Sequence, residues 1–536
     1  METDRKVHRP LDPRYGPEEL LAIINEVRAR EHCIARDVDR ILRRYRREGL
    51  PPLSRTHLVA AYRRLCAQGT LPWERETLRR LQRKPVRTLS GVAPVTVLTK
   101  PFPCPGQCIF CPEREGMPKS YLPDEPGAMR AAAHDFDPYA QTASRMQVFE
   151  AIGHSTDKVE LLVLGGTWSA YPQDYQEWFI RRCLEAMNGA ASDSLLDAQQ
   201  RNETAAHRNV GLVIETRPDT ITPEEVRRLR WLGVTKVQMG IQSLDDAILV
   251  QNRRGHTVAQ TRQAVRLLRL AGFKIALHWM PNLLGATPES DLEDFCRLWD
   301  DPALRPDELK IYPCLLLPGT ELHTLWQQGL YRPYPEERLI DLLVRCKTII
   351  PPYCRVNRLM RDIPAPHIVE GSTKSNLRQI VQRRMGERGL ACQCIRCREV
   401  RGTEVDPQTL RLNTLVYETG VSEERFLSYA TPQGKLAGFL RLSLPRREAE
   451  PPIEEIRACA MIREVHVYGP ALEIAAPSEG EAQHLGLGRR LIEEAKRISR
   501  QRGFERLAVI AAVGTREYYR QRGFELGELY MVTRLW

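Results

Sequence analysis

Between residues 91 and 315 the chain alternates short β-branched runs with amphipathic helical stretches, and no other feature constrains its fold as strongly. The predicted strands are Val92–Leu98, Val159–Leu164, Asn209–Glu215, Lys236–Ile241, Lys274–His278 and Leu309–Leu315. Helical patterns such as Pro223–Leu232 and Val258–Ala271 lie between them. Six βα units in series need crossover helices and a parallel sheet, which predicts an α/β chain built on a partial (β/α)6 barrel. In such barrels, chemistry collects at the C-terminal ends of the strands.

The texture differs on either side. Residues 17–84 carry apolar residues at helical spacing, with Arg36, Arg40, Arg43, Arg44, Arg46, Arg47, Arg63 and Arg64 between the stripes. Residues 346–410 read as a proline-containing connector. Residues 411–536 return to strands (Lys435–Ser443, Glu464–Tyr468, Arg506–Val513) around a helix that starts near Gly488, an α+β pattern. The expected division is therefore 1–84, 85–345, 346–410 and 411–536.

The net charge is +11, and residues 1–100 hold 22 Lys and Arg against 12 Asp and Glu, so nearly all the excess is N-terminal. An isolated basic region points to a polyanionic partner, nucleic acid being the commonest; a solvated Arg-rich surface is the alternative. The opening METDRKVHRP has no apolar run, and no stretch is long enough to span a membrane. These features predict a cytoplasmic protein without membrane contact.

Of the 14 cysteines, six fall in two tight triplets, Cys104/Cys108/Cys111 and Cys392/Cys394/Cys397. Clustered cysteines in such a chain read as metal sites rather than disulfides. Thiolates suit iron–sulfur clusters or zinc. The first triplet occupies one short loop directly after the first strand, with no fourth ligand at zinc spacing, which favours a four-iron cluster with one iron open. The second, three cysteines within six residues, reads as a structural zinc site, with His367 a guess for the missing ligand and a second cluster the lesser alternative.

The text PCPGQCIFC, with Phe110 before the last cysteine, resembles the radical-SAM superfamily. The resemblance implies a 4Fe–4S cluster on Cys104, Cys108 and Cys111, with S-adenosylmethionine on the open iron as the source of a 5′-deoxyadenosyl radical. Gly165, Gly166 and Thr167, at the end of strand two, resemble the glycine pair beside the methionyl amine; alone they read as a tight turn. Glu215, Arg217, Asp219, Gln238, Gln242 and His278 put polar groups at successive strand ends.

Near the C-terminus, Gln483-x-x-Gly486-x-Gly488 enters a helix, an arrangement that leaves backbone N–H groups for a pyrophosphate, with Arg489 adding charge. It resembles the GNAT acetyltransferases and implies coenzyme A binding. The tyrosines of GTREYYR, Tyr518 and Tyr519, are candidates to protonate a leaving thiolate; read as core aromatics, only one of them fits.

The two halves together, with KPVRTLSGVA, EPGAMRA, ETRPD, NRRGHT, KIYPCLLLPGT, RDIPAP and REVHVYG, resemble the family of Elongator catalytic subunits. That resemblance implies an acyltransferase-type radical enzyme forming 5-carboxymethyluridine at the tRNA wobble position from acetyl-CoA. It implies acetyl-CoA contacts at Lys158, at Glu464, Val465, His466 and Val467, and at Leu487, Gly488 and Arg489, with Gln483, Gly486 and Tyr519 beside them. Taken alone, Lys158 is a solvated charge at a strand start. The partners implied are the tRNA anticodon stem-loop and an external electron donor; nothing decides between monomer and homodimer. The rival reading is a protein lysine acetyltransferase with a structural iron–sulfur barrel.

Overall fold

The computed structural model describes residues 15–31, 33–46, 53–82, 88, 90–401, 405–468 and 486–536. Arg47 and Gln483 lie outside them.

Seven parallel strands form the first sheet in chain order: β1 (Ala93–Leu98), β2 (Lys158–Leu164), β3 (Arg208–Thr216), β4 (Lys236–Gln242), β5 (Lys274–Trp279), β6 (Glu308–Ile311) and β7 (Arg355–Arg358). Six match the sequence expectation. The seventh comes from the stretch read as connector, because four residues flanked by prolines give too short an alternation to detect. Outward residues such as Val95, Val97, Leu161 and Val163 are buried under the crossover helices in the main core.

The second sheet runs β13-β14-β12-β11-β10-β9-β8, over β8 (Arg411–Glu418), β9 (Ser422–Ala430), β10 (Leu436–Pro445), β11 (Cys459–Val467), β12 (Arg506–Val509), β13 (Glu525–Leu526) and β14 (Met531–Arg534). Only β11 and β12 pair in parallel, and their pairing stops at Ile462 and Val509 while β11 continues to Val467. A wedge opens between them there.

The second sheet seats against the foot of the barrel, and one core runs across both, including Leu309, Val356, Phe439, Met461 and Tyr530. The seam is also ionic. Asp307, just before β6, takes Arg463 in a two-pronged contact (2.7 and 2.6 Å), and Arg463 also meets Glu424 at 2.8 Å. Burial opposes charge at Asp307, but Arg463, Arg441 and Arg269 outweigh it and hold the carboxyl far below its usual range. Arg230 adds hydrogen bonds to the Leu529 and Ala511 carbonyls, 3.0 and 2.7 Å.

At the other end, α1 (Pro17–Arg28), α2 (Ala35–Arg44), α3 (Arg55–Ala67) and α4 (Arg75–Leu81) enclose their own core. Ser54 caps α3 by accepting from the His57 N–H at 3.3 Å, as its position predicts. Arg36, Arg40, Arg43, Arg44 and Arg46 are exposed. Arg63 instead turns inward and donates to the Glu150 carbonyl at 2.7 Å, so it docks the helices on the barrel rather than facing phosphates.

Candidate active site

The loop after β1 brings the first cysteine triplet to the C-terminal mouth of the barrel, against the ends of β2, β3 and β4. Cys104 Sγ lies 3.6 Å from Thr167 Oγ1, and Arg254 Nη1 lies 3.4 Å from Cys108 Sγ. Burial, with the Cys108 sulfur close by, pushes the Cys111 thiol up to about 12. The loop is pinned at Ile109, whose N–H reaches the Asn252 carbonyl and whose carbonyl takes the Leu322 N–H. A Cβ on Gly106 would lie 2.2 Å from Arg217 Nη1, so any larger residue there would have to displace that guanidinium.

Around these sulfurs, several buried polar atoms have no partner among the described residues: Arg217 Nη1, Arg254 Nε and Gln242 Oε1. Buried polar groups are ordinarily satisfied. Cationic donors left open beside three soft sulfur ligands fit an anionic cluster together with a ligand that carries a carboxylate. Gly166 and Thr167 line the same space, and a Cβ on Gly166 would meet nothing within 4 Å. Gly165 packs instead against Thr99.

Below the mouth, His278 lies 3.0 Å from Gln238 Oε1 and 3.5 Å from Glu215. Lys310 also donates to Gln238. Burial lowers the Lys310 ammonium to about 8, and burial with nearby cations drives His278 well below its ordinary value. The structure thus gathers Glu215, Arg217, Gln238, Gln242 and His278, and adds Lys310, Arg254, Arg358 and Arg361, to which the sequence assigned no role. Lys310 is inward by the two-residue alternation of β6, a signal that was present in KIYPC.

At the foot of the barrel, Glu464, Val465, His466 and Tyr519 line the same cavity of about 890 Å³ that reaches the cysteines. Gly486 takes the left-handed conformation (φ 65°) that starts the helix Leu487–Gln501. A Cβ on Gly488 would come within 2.6 Å of the Tyr518 hydroxyl, so that tyrosine closes over the helix start. Tyr519 is buried against Phe524, and Tyr518 is half-exposed with the Arg522 guanidinium 3.4 Å over its ring. One of the two is therefore a core aromatic and the other is not. Arg489 and Val467 flank the same end of the helix.

Lys158 opens β2 at the foot, paired with Arg208, which Gly514 packs against. It stands beside the seam, outside the set of residues lining the cavity. Burial lowers its ammonium, opposed by Asp157. Glu464 is more committed than a ligand contact: its carboxylate is held by Lys274 and Arg441.

The second triplet is compact, with the sulfurs of Cys392, Cys394 and Cys397 all within 4.8 Å of one another. Lys347 Nζ and Gln382 Nε2 approach Cys397 Sγ at 3.8 and 3.7 Å. His367 is not part of the group; it pairs with Asp124 at 2.6 Å.

A parallel half-barrel with a three-cysteine loop at its mouth defines a radical SAM protein. Residues 103–298 match the radical SAM superfamily and 306–387 its C-terminal domain. That superfamily implies a 4Fe–4S cluster and S-adenosylmethionine. The chain is 43% identical over 84% of its length to the tRNA uridine(34) acetyltransferase of Methanocaldococcus jannaschii, covering 86% of that protein. It is 37% identical over 85% of its length to human Elongator complex protein 3, again covering 86%. A structure of Elp3 from the archaeon Methanocaldococcus infernus superposes with a TM-score of 0.74 at 39% identity, covering 83% of this chain and 99% of that one. The chain belongs to the Elongator complex protein 3 family of tRNA uridine(34) acetyltransferases. Among the described residues, no helix is long and apolar enough to cross a membrane.

Proposed function

We propose that this chain modifies the wobble uridine of tRNA, attaching the methyl carbon of acetyl-CoA to uracil carbon five, with water then hydrolysing the thioester and releasing coenzyme A, to give 5-carboxymethyluridine. The observation that carries the reading is the single cavity shared by the three cysteines and by Glu464, His466 and Tyr519. A protein acetyltransferase has no use for a cavity reaching the cysteines.

Cys104, Cys108 and Cys111 would hold the cluster, and Gly166, Thr167, Arg217 and Arg254 would orient S-adenosylmethionine. When bound, this pair supplies a 5′-deoxyadenosyl radical, which can join a thioester methyl carbon to uracil carbon five where polar chemistry cannot, since both carbons react as nucleophiles. The second sheet with its glycine-led helix reads as a GNAT unit. Gly486, Leu487, Gly488 and Arg489 would take the coenzyme A diphosphate, with Gln483 on the approach and Val465 and Val467 along the wedge. Lys158 would reach the bound donor from the barrel side. Tyr518, whose hydroxyl stands over Gly488, is the better placed proton donor to the leaving thiolate; Tyr519 shapes the pocket behind it. Exposed arginines of α2 would take tRNA phosphates around the anticodon stem-loop, and an external donor would supply the electron. Cys392, Cys394 and Cys397 would hold a structural zinc. The four regions, 1–84, 85–345, 346–410 and 411–536, would then be RNA-binding, radical, zinc-containing and acetyl-CoA units of a cytoplasmic enzyme.

The test is anaerobic incubation with tRNA, acetyl-CoA and S-adenosylmethionine, followed by nucleoside mass spectrometry. Carboxymethyluridine is expected with the native chain and not with Cys108→Ala. Acetylated protein with unmodified tRNA would overturn the reading.

A further inference from the structure

In closed barrels the inward side chains fill the interior in layers. Here the outward residues of β1 and β2 are buried while inward Pro94, Thr96, Glu160, Leu162 and Leu164 are half-exposed to the lumen. The strand register arranges the lumen wall in rings. Thr96, Leu162, Val213, Lys236 and Lys274 are successive partners in one. Glu215, Gln238, Ala276, Glu308 and Arg355 form the next, and Gly240, His278, Lys310 and Arg358 the one below the cysteines. Strands of six or seven residues make this passage about 20 Å long.

Its two walls differ. The β1–β2 wall is mainly apolar, with Pro94, Leu162 and Leu164, and carries Thr96 and Glu160 as its polar members. The β4–β7 wall is polar: Lys236 meets Glu160 at 2.7 Å and Glu308 at 3.3 Å, Lys274 meets Glu308 at 3.4 Å, and Asn357 donates to Glu308 at 2.6 Å. At the foot, His466 Nε2 is buried with no partner among the described residues.

The geometry points to the lumen as the seat of the acyl donor's arm: the pantetheine thioester of acetyl-CoA threads from the wedge between β11 and β12 up through the barrel, so that its acetyl end emerges beside Gln238 and His278. This rests on the acetyl-CoA reading above and adds the route. A chain of alternating amides and methylenes suits one polar and one apolar wall. A free acetate ion suits it less, because Lys236 and Lys274 are already matched by Glu160, Glu308 and Glu464. His466 is placed to hydrogen-bond the arm where it enters.

The test places a thiol in the first of these rings, by Thr96→Cys and separately by Leu162→Cys, in the cluster-loaded full chain. The probe is bromoacetyl-CoA, with untethered bromoacetamide as the control and peptide mass spectrometry as the readout. The introduced thiol should displace bromide and form a thioether at least about tenfold faster with the tethered probe than with bromoacetamide, and coenzyme A should suppress it. The two positions are register partners on adjacent strands, so either suffices if the other variant does not fold. A probe that competes with coenzyme A yet labels neither position, or labelling that coenzyme A does not suppress, overturns the route while leaving the proposed function standing. If neither the probe nor coenzyme A binds the native chain, the acetyl-CoA reading fails and the route fails with it.

Discussion

Lys274 Nζ lies 2.5 Å from Glu464 Oε1, so a single ion pair ties the foot of β5 to β11 of the second sheet. Arg441 takes the other carboxylate oxygen at 2.8 Å. Burial alone would raise the Glu464 carboxyl; Lys274 and Arg441 outweigh it and hold it at about 2. The seam between the two sheets is thus fixed by charges that cannot separate cheaply.

Lys274→Met should therefore destabilise the chain by about 3–5 kcal/mol, because Glu464 and Glu308 stay buried with one cation fewer. Lys274→Met with Glu464→Gln should cost less than the sum of the two single changes, since the pair is coupled. Denaturant titration of the four forms measures the coupling, and strict additivity would contradict the contact.

Gly488→Ala should leave the fold nearly intact and weaken coenzyme A. The added Cβ would sit 2.6 Å from the Tyr518 hydroxyl, and that half-exposed ring can swing away at small cost. The tyrosine then no longer closes over the helix start. A loss of about tenfold in affinity, or about 1.4 kcal/mol, is expected by calorimetry. A matching fall in stability would mean that Tyr518 is held as rigidly as Tyr519.

Much of this was legible in the sequence. The strands were readable because short β-branched and apolar runs recur between helical stretches, and the cysteine loop because three thiols within eight residues have few uses. Arg254 and Arg361 were not, because their roles come from burial at the mouth, which sequence spacing does not encode; the inward side of Lys310 could have been read from the alternation of β6. Arg63 looked like any other arginine of the basic helices until the Glu150 carbonyl appeared beneath it. Glu464 was expected at acetyl-CoA; its carboxylate is engaged by residues 190 and 23 positions away, partners no local pattern reveals.

Burial at the seam lowers His466 to about 4 from an ordinary 6.5, with Glu464 opposing and Arg355 and Lys274 reinforcing the shift. Between these values the folded chain keeps the ring neutral while the unfolded chain binds a proton. Stability should thus fall as pH drops from 6.5 towards 4, by at most about 3 kcal/mol from this group. Glu399 also faces the ring, and its attraction for the proton limits the effect. His466→Phe keeps the packing on Phe439 and Tyr468 and removes the titration. Its stability should vary less with pH across that window; an unchanged slope would place the dependence elsewhere.

The second cysteine triplet lies where a metal would fasten three elements. Ile395 donates to the Cys354 carbonyl just before β7, Glu399 bridges to Leu436 of β10, and Arg355 of β7 pairs with Glu399. The segment 392–400 therefore touches both sheets, and its conformation is set by three sulfurs drawn within 4.8 Å. Thiols so close repel as thiolates unless cations offset them; Lys347 lies 3.8 Å from Cys397, and Arg378, Arg396 and Arg398 act on the triplet through space. Zinc would supply the rest. Cys394→Ser should remove zinc from the purified chain, as elemental analysis would show, and lower its melting temperature. Iron content and the visible absorbance of the cysteine mouth should persist, because that loop is pinned by Asn252 and Leu322 on the far side of the barrel. Loss of iron in step with zinc would show that the triplet holds a second cluster instead.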